Sequence, residues 1–310
     1  MQNKASTVVV LGTGGTIAGT SATAGDNVGY TAAQLGVAQL VRAVPALASA
    51  PLEVEQVAQL DSKDMSHAVW RQLASRCAHH LARMEVAGIV ITHGTDTIEE
   101  TAWFLQRVLA PGKPVVLTGA MRPATALQTD GPQNLVDAVT VALTAGAQGV
   151  VAVFAGQVHA ARDVRKLHPY RVDAFGSGDA GPIACIEEGR LRMFRAWPAG
   201  TAVGVDALPA DESEWPTVDI VTSHAGASGT VVRALCGAGV KGLVVASTGN
   251  GTVHREIEAA LDEAMRHGVQ VLRSTRTNNG SVLRAANDGM PTADDLTPSK
   301  ARVELMLRLL

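Results

Sequence analysis

The sequence predicts an α/β fold, with a doubly wound parallel sheet in an N-terminal domain and a smaller α/β domain at the C-terminus. Three observations predict it. The first half carries five short β-rich runs, most of them continuously apolar, separated by helix-period segments. A second, shorter series of the same kind fills the last third. Between them lies a stretch with little periodicity that contains Pro198, Pro209 and Pro216. Continuous apolar strands are what a sheet covered on both faces requires, and right-handed crossovers are expected to connect them. The predicted layout is an N-terminal domain over 1–190, a linker over 191–216 and a C-terminal domain over 217–310.

The elements follow in order. Residues 7–11 (TVVVL) read as a buried strand, followed by a glycine-rich loop and a helix over 32–43. Residues 52–60 suggest a strand and 66–84 a long helix. The run 88–92 (GIVIT) is a buried strand, and the helix after it spans 97–109, with Thr97 as N-cap and Glu100 as its capping-box partner. Strand 114–117, helix 132–144 and strand 149–154 complete the first series. In the second, strands are expected at 218–222, 242–246 and 269–273, and helices near 229–236, 253–267 and 298–309.

Composition narrows the function classes. With 46% apolar and 18% charged residues over 310 positions, the chain is an ordered globular protein. Its net charge of −3 and scattered arginines provide no basic stripe to neutralise phosphates, which argues against nucleic acid as a partner. Cys77, Cys185 and Cys236 form neither a disulfide framework nor a zinc pattern. No segment is apolar for long enough to span a bilayer. The chain runs from Met1 straight into strand-like sequence without a secretory leader, so a cytoplasmic location is expected, and a periplasmic one if a leader has been removed.

Ligands of open α/β sheets bind beyond the carboxyl ends of the strands, and two unusual loops sit there. The first, Gly12-Thr13-Gly14-Gly15-Thr16-Ile17-Ala18-Gly19, fails as a dinucleotide fingerprint because Ile17 replaces a glycine, and as a phosphate loop because Thr20 replaces a lysine. Glycines flanking a threonine instead permit close approach to the Thr16 hydroxyl. The second, Thr92-His93-Gly94-Thr95-Asp96-Thr97, offers an aspartate suited to an ammonium group and a threonine suited to water. His93 has no evident acidic partner, so a serine-type triad is not built on it. Neither a metal nor an organic cofactor is implied: no His-Glu-x-x-His run occurs, and His79 and His80 point to different sides of a helix.

These two loops resemble the two signatures of the bacterial-type L-asparaginase family. Further matches follow in order at Tyr30, Asp61-Ser62-Lys63-Asp64-Met65, Gly119-Ala120-Met121-Arg122-Pro123, Asp130 to Leu135, Arg162 to Lys166 and Gly249-Asn250-Gly251. The resemblance implies hydrolysis of the side-chain amide of L-asparagine to aspartate and ammonia through an acyl-enzyme on Thr16, with Tyr30 in a mobile lid activating it. Thr95, Asp96 and Lys166 resemble the second catalytic group. Ser62 resembles the residue that binds the substrate carboxylate, and Asp96 the one that receives its ammonium. Lys63 stands beside Ser62 where glutamine is usual. Gly15, Gly94 and Ala120 fall where backbone meets ligand, and the amides near Thr95 are expected to form the oxyanion hole. The working base stays open: Lys166 needs a pKa lowered by burial, and pairing with Asp96 opposes that shift.

The resemblance also implies a homotetramer built as a dimer of dimers. Alternatives are L-glutamine as equal or main substrate, the amidase subunit of tRNA-dependent glutamine synthesis (disfavoured because it carries an additional N-terminal domain) and a non-catalytic amino-acid-binding module. Thr252 and Asn287 depart from the secreted members, Asn287 standing near an expected glutamate, so weaker affinity or altered selectivity is expected. The disulfide of some relatives is absent, with Pro111 opposite Cys77.

Overall fold

The computed structural model describes residues 6–23, 25–283 and 289–310. The chain divides into two compact units, Met1–Val205 and Asp206–Leu310.

In the first unit the order is β1 (Thr7–Gly14), α1 (Val37–Arg42), β2 (Leu52–Leu60), α2 (His67–Leu81), β3 (Val86–Thr92), α3 (Ile98–Leu109), β4 (Val115–Thr118), α4 (Gly131–Leu143) and β5 (Val150–Phe154). There follow β6 (Gln157–Ala160), β7 (Arg165–Lys166), β8 (Phe175–Gly176), β9 (Ala184–Glu187) and β10 (Arg190–Met193). One eight-stranded sheet runs β10-β9-β6-β5-β4-β3-β1-β2, and β7 pairs with β8 alone. The five strands β2-β1-β3-β4-β5 are parallel. Val8–Leu11, Ile89–Ile91, Val115–Leu117 and Val150–Val153 are all fully buried, as strands covered on both faces must be.

Two features depart from the sequence expectation. First, the sheet continues past β5 as antiparallel strands. The β5–β6 and β9–β10 hairpins close through Ala155-Gly156 and Glu188-Gly189, all four at positive φ, which two-residue turns matched to strand twist require. The stretch read as a linker from 191 therefore begins inside β10. Second, the crossovers are not all of one hand. α1 and α4 share a core with Val8, Val10, Val90, Val116 and Val151, whereas α2 packs with α3 away from that core. The steps β3→β4 and β4→β5 move in the same direction along the sheet but place their helices on opposite faces. The β4–α4–β5 crossover thus has the opposite hand to the other three, departing from the usual preference.

The parallel order 2-1-3-4-5 has its switch point between β1 and β3, where the chain leaves the two strands in opposite directions and opens a crevice. Edge strand β2 is tied to α2 through Glu55, which accepts from Arg76 at 2.6 Å and pairs with His80 at 2.8 Å.

In the second unit β11 (Val218–Thr222), β12 (Gly242–Ser247) and β13 (Gln270–Thr275) form a parallel three-stranded sheet. α5 (Thr230–Gly237) and α6 (Arg255–Arg266) pack on each other, and α7 (Pro298–Arg308) packs on all three strands. Asn287 lies outside the described residues, and Thr252 bridges back to Thr248 within this unit. Among the described residues no helix is long and apolar enough to cross a membrane.

Candidate active site

The ends of β1 and β3 meet, together with the chain just after β2, through bare glycine backbone. Gly15, at φ 82°, lies so close to the second loop that a Cβ there would sit 2.3 Å from Gly94 Cα. A Cβ on Gly94 would sit 2.4 Å from Ser62 Oγ. Only residues without side chains allow this contact, and it brings the segments bearing Thr16, Ser62, Thr95 and Asp96 to the switch point. Thr13 Oγ1 donates to Thr92 O at 3.0 Å and joins the same two strand ends.

Thr16 opens a single 3-10 turn and is 8% exposed. Its Oγ1 lies 2.7 Å from the Tyr30 hydroxyl. Tyr30 is delivered by a loop that closes on itself where Thr20 and Thr31 exchange backbone hydrogen bonds of 3.0 and 2.9 Å. Asp26 accepts from Val28 N and Gly29 N within that loop, and these bonds hold its carboxyl below the usual range. Backbone amides of Ala33, Gln34 and Leu35 bond back to Gly15 and Ala18, which is why α1 starts at Val37 and not at Ala32.

The second group is assembled by Lys166 on β7. Its Nζ donates to Thr95 Oγ1 at 2.9 Å and to Asp96 Oδ1 at 2.5 Å. The ammonium-bearing chain is 19% exposed, while the Asp96 side chain remains 57% exposed. Glu99, in the first turn of α3, accepts from Lys166 N at 3.1 Å, so both ends of Lys166 are held by one stretch of chain. A cavity of about 360 Å³ lies beside Asp96 and Lys166, lined by Leu167, His168 and Pro169.

Ser62 is buried, and its Oγ accepts from Asp96 N at 3.2 Å. Thr97 takes the N-cap position of α3 as expected, but its side chain makes no cap bond; its hydroxyl donates to Ser62 O at 2.8 Å, linking the second loop to the chain after β2. Lys63 turns outward and pairs with Asp61 and Asp64 at 3.0 and 3.1 Å; these two contacts raise its pKa, the Asp61 bond most. Ala120 is fully buried in the β4 loop beside Thr95: a Cβ on its neighbour Gly119 would lie 3.4 Å from Thr95 Cγ2. Asp130, whose role sequence reasoning missed, shapes that loop by accepting from Met121 N, Arg122 N and Asn134 Nδ2. The signal available for it was the Asp-Gly-Pro start of α4. Glu99 was also missed, since nothing in its spacing connects it to Lys166.

His93 is fully buried beneath the second loop, and burial pushes its pKa down to about 4. It bonds Gly94 O through Nδ1 at 2.7 Å and Thr101 Oγ1 through Nε2 at 3.0 Å. Among the described residues no group of three or more His, Cys, Asp or Glu is placed to hold a metal ion.

Comparison with known proteins places this arrangement in context. Residues 7–199 match the family model described as Asparaginase, N-terminal, and residues 217–310 match the Glutaminase/Asparaginase C-terminal domain. The chain is 38% identical to a glutaminase-asparaginase of Pseudomonas fluorescens biotype A, over 99% of this chain and 87% of the relative. It is 38% identical to L-asparaginase 2 of Escherichia coli K12, over 97% and 88%. A solved structure described as a probable cytoplasmic L-asparaginase from Campylobacter jejuni superposes with a TM-score of 0.92 at 39% identity, covering 98% of this chain and 95% of that one. The chain belongs to the asparaginase family.

Proposed function

We propose that the chain is an L-asparaginase that hydrolyses the side-chain amide of L-asparagine through a threonyl acyl-enzyme. One observation carries the reading: a Thr16–Tyr30 pair and a Thr95–Asp96 pair joined by Lys166 of β7 meet where two loops are in backbone contact at the switch point. A threonine hydroxyl is a weak nucleophile unless a neighbour takes its proton, and Tyr30 is at hydrogen-bonding distance. Thr16 Oγ attacks the carboxamide carbon, its proton passes to the Tyr30 oxygen, and the Tyr30 proton goes to the departing nitrogen. The C–N bond breaks, ammonia leaves and an ester on Thr16 remains. Water held by Thr95 and oriented by Lys166 then cleaves the ester, returning a proton to Thr16 and releasing aspartate. Backbone amides near Thr95 stabilise the oxyanion, each such donor contributing on the order of 3–4 kcal/mol.

Ser62 binds the substrate carboxylate, Asp96 takes the ammonium with the carboxylate oxygen not used by Lys166, and Gly15, Gly94 and Ala120 supply the backbone walls. Lys63, expected beside the substrate, faces outward and spends its charge on Asp61 and Asp64, so it is given no direct contact with the carboxylate. The catalytic groups belong to a domain over 1–190, with 217–310 as the smaller one, and the working assembly is a homotetramer, testable by light scattering. A cytoplasmic location is supported by three free cysteines and by the likeness to the Campylobacter protein, described as a probable cytoplasmic L-asparaginase. L-Glutamine is the second substrate reading, favoured by relatives named glutaminase-asparaginase; one methylene changes discrimination by only about 1–3 kcal/mol.

Ammonia release from each amide by wild type and Thr16→Ala tests the proposal. Release by wild type and a loss of roughly 10³-fold or more in the variant are expected. Equal rates in both would remove the nucleophile, and tight binding without ammonia would make the chain a binding module.

A further inference from the structure

We infer that His93 is a positioning residue that aims the Thr95 backbone N–H at the developing oxyanion, an inference that rests on the amidohydrolase reading above. His93 is completely buried and cannot touch substrate. Its hydrogen bonds nevertheless have a single direction. Gly94 O can only accept, so Nδ1 carries the proton, and Nε2 is left as an acceptor. Thr101 Oγ1 lies 3.0 Å from Nε2 and receives the Trp70 indole N–H at 2.8 Å, so the hydroxyl proton points at Nε2. The indole N–H can only donate. Trp70, Thr101, His93 and Gly94 O therefore form a chain with one polarity, and the imidazole is fixed as the Nδ1–H tautomer. A ring held neutral by burial keeps that tautomer through the mildly acid range.

The chain ends on the carbonyl of the peptide that joins Gly94 to Thr95. That peptide is trans, so its N–H points opposite to its C=O. Holding the carbonyl toward the imidazole turns the Thr95 N–H away from it. Among the described residues this N–H has no protein acceptor, although Thr95 is only 5% exposed. A buried amide without a partner, beside the Lys166-bound hydroxyl, is a donor kept for a ligand. Gly94 makes the lock necessary. It is bare because Ser62 occupies the space of a side chain, and a glycine lets the following peptide plane rotate at little cost. The neighbours on the other side, Asp96 N and Thr95 Oγ1, are already tied to Ser62 and Lys166. His93 supplies the remaining restraint.

The test compares His93→Leu, which fills the space but donates nothing, with His93→Asn, whose amide N–H replaces the Nδ1 donor. Misaimed catalytic groups cost roughly 10- to 100-fold, so His93→Leu should lose that much in kcat with KM and the Kd of L-aspartate within about threefold of wild type. His93→Asn should recover most of the lost kcat. A kcat within twofold of wild type in His93→Leu would overturn the inference, as would a loss confined to KM or an Asn variant no better than Leu. Because a core substitution can prevent folding, a second measurement uses the unaltered protein: ¹⁵N-histidine spectra should show His93 as the Nδ1–H tautomer from pH 8 to 5, and an Nε2–H tautomer would refute the argument. The two readings fail separately. Absence of ammonia release by wild type removes the proposed function, whereas an active wild type with an indifferent His93→Leu removes only the role of His93.

Discussion

Acidification should destabilise the first unit earlier than its carboxylates alone would, and His93 is the reason. Burial lowers its pKa from 6.5 to about 4. Between those values the unfolded chain takes up a proton that the fold refuses, so stability rises with pH across this window and is lost as pH falls through it. The slope approaches about 1.4 kcal/mol per pH unit in mid-window, and integrating from pH 7 down to pH 5 gives a loss of ~1.8 kcal/mol from this residue. Glu53 and Glu55, whose pKa values are lowered chiefly by Arg83 and Arg76 respectively, act in the same sense but below their ordinary value of 4.5. His93→Asn cannot titrate. Urea unfolding followed by tryptophan emission, at fixed chain concentration and at pH 7, 6 and 5, should show the wild-type advantage over the variant shrinking by ~1.8 kcal/mol. Parallel profiles for the two proteins would mean that the imidazole is not held neutral by its surroundings.

Four further outcomes are expected. Gly15→Ala must place a Cβ 2.3 Å from Gly94 Cα at φ 82°, so a loss of about 2–5 kcal/mol is expected from left-handed backbone plus overpacking, read by thermal unfolding; an unchanged transition would refute the contact. Lys166→Met keeps the length of the side chain but frees Thr95 and Asp96, and ammonia release should fall roughly 100-fold or more with an unchanged circular dichroism spectrum. Thr97→Val removes the bond to Ser62 O and should cost about 1 kcal/mol in urea unfolding, whereas Thr97→Ser, which keeps the hydroxyl, should cost far less. Cys77 is fully buried and its thiol pKa is pushed up by burial, so iodoacetamide at pH 8 should alkylate Cys185 and Cys236 in the native protein and leave Cys77 unmodified by peptide mass mapping.

What could be read from the sequence depended on whether a signal was local. β1, β3, β4 and β5 were legible because a strand buried on both faces must be apolar throughout, and their loops were legible as departures from known phosphate-binding patterns. β6, β9 and β10 were not, because their hairpins turn on Ala-Gly and Glu-Gly where Asn-Gly or Asp-Gly would have signalled the turn; the positive φ of Ala155 and Glu188 is imposed by the sheet, not by their own preference. The shortened α1 and the diverted Thr97 have one cause: backbone and hydroxyl groups that local pattern assigns to a helix are used to tie loops together. Resemblance brought Thr16, Tyr30, Thr95, Asp96 and Lys166 onto one roster, but the Lys166–Asp96 contact spans 70 residues and no spacing rule predicts it.

Why Lys166 rests on so slight a strand follows from that contact. β7 contains two residues and pairs only with β8, so hydrogen bonding within this hairpin cannot fix an ammonium group to catalytic tolerance. A restraint on the lysine itself comes from the β3–α3 segment, which accepts the Lys166 backbone amide on Glu99 and its ammonium on Thr95 and Asp96. The hairpin is thus held from two sides, because Phe175 of β8 also stacks on Phe154 of β5 with ring centroids 4.1 Å apart. That stack places the hairpin relative to the sheet, and the contacts of Lys166 place its ammonium relative to the second loop. The close glycine contact between Gly15 and Gly94 sets the separation of the two halves, and the proposed reaction depends most steeply on that separation.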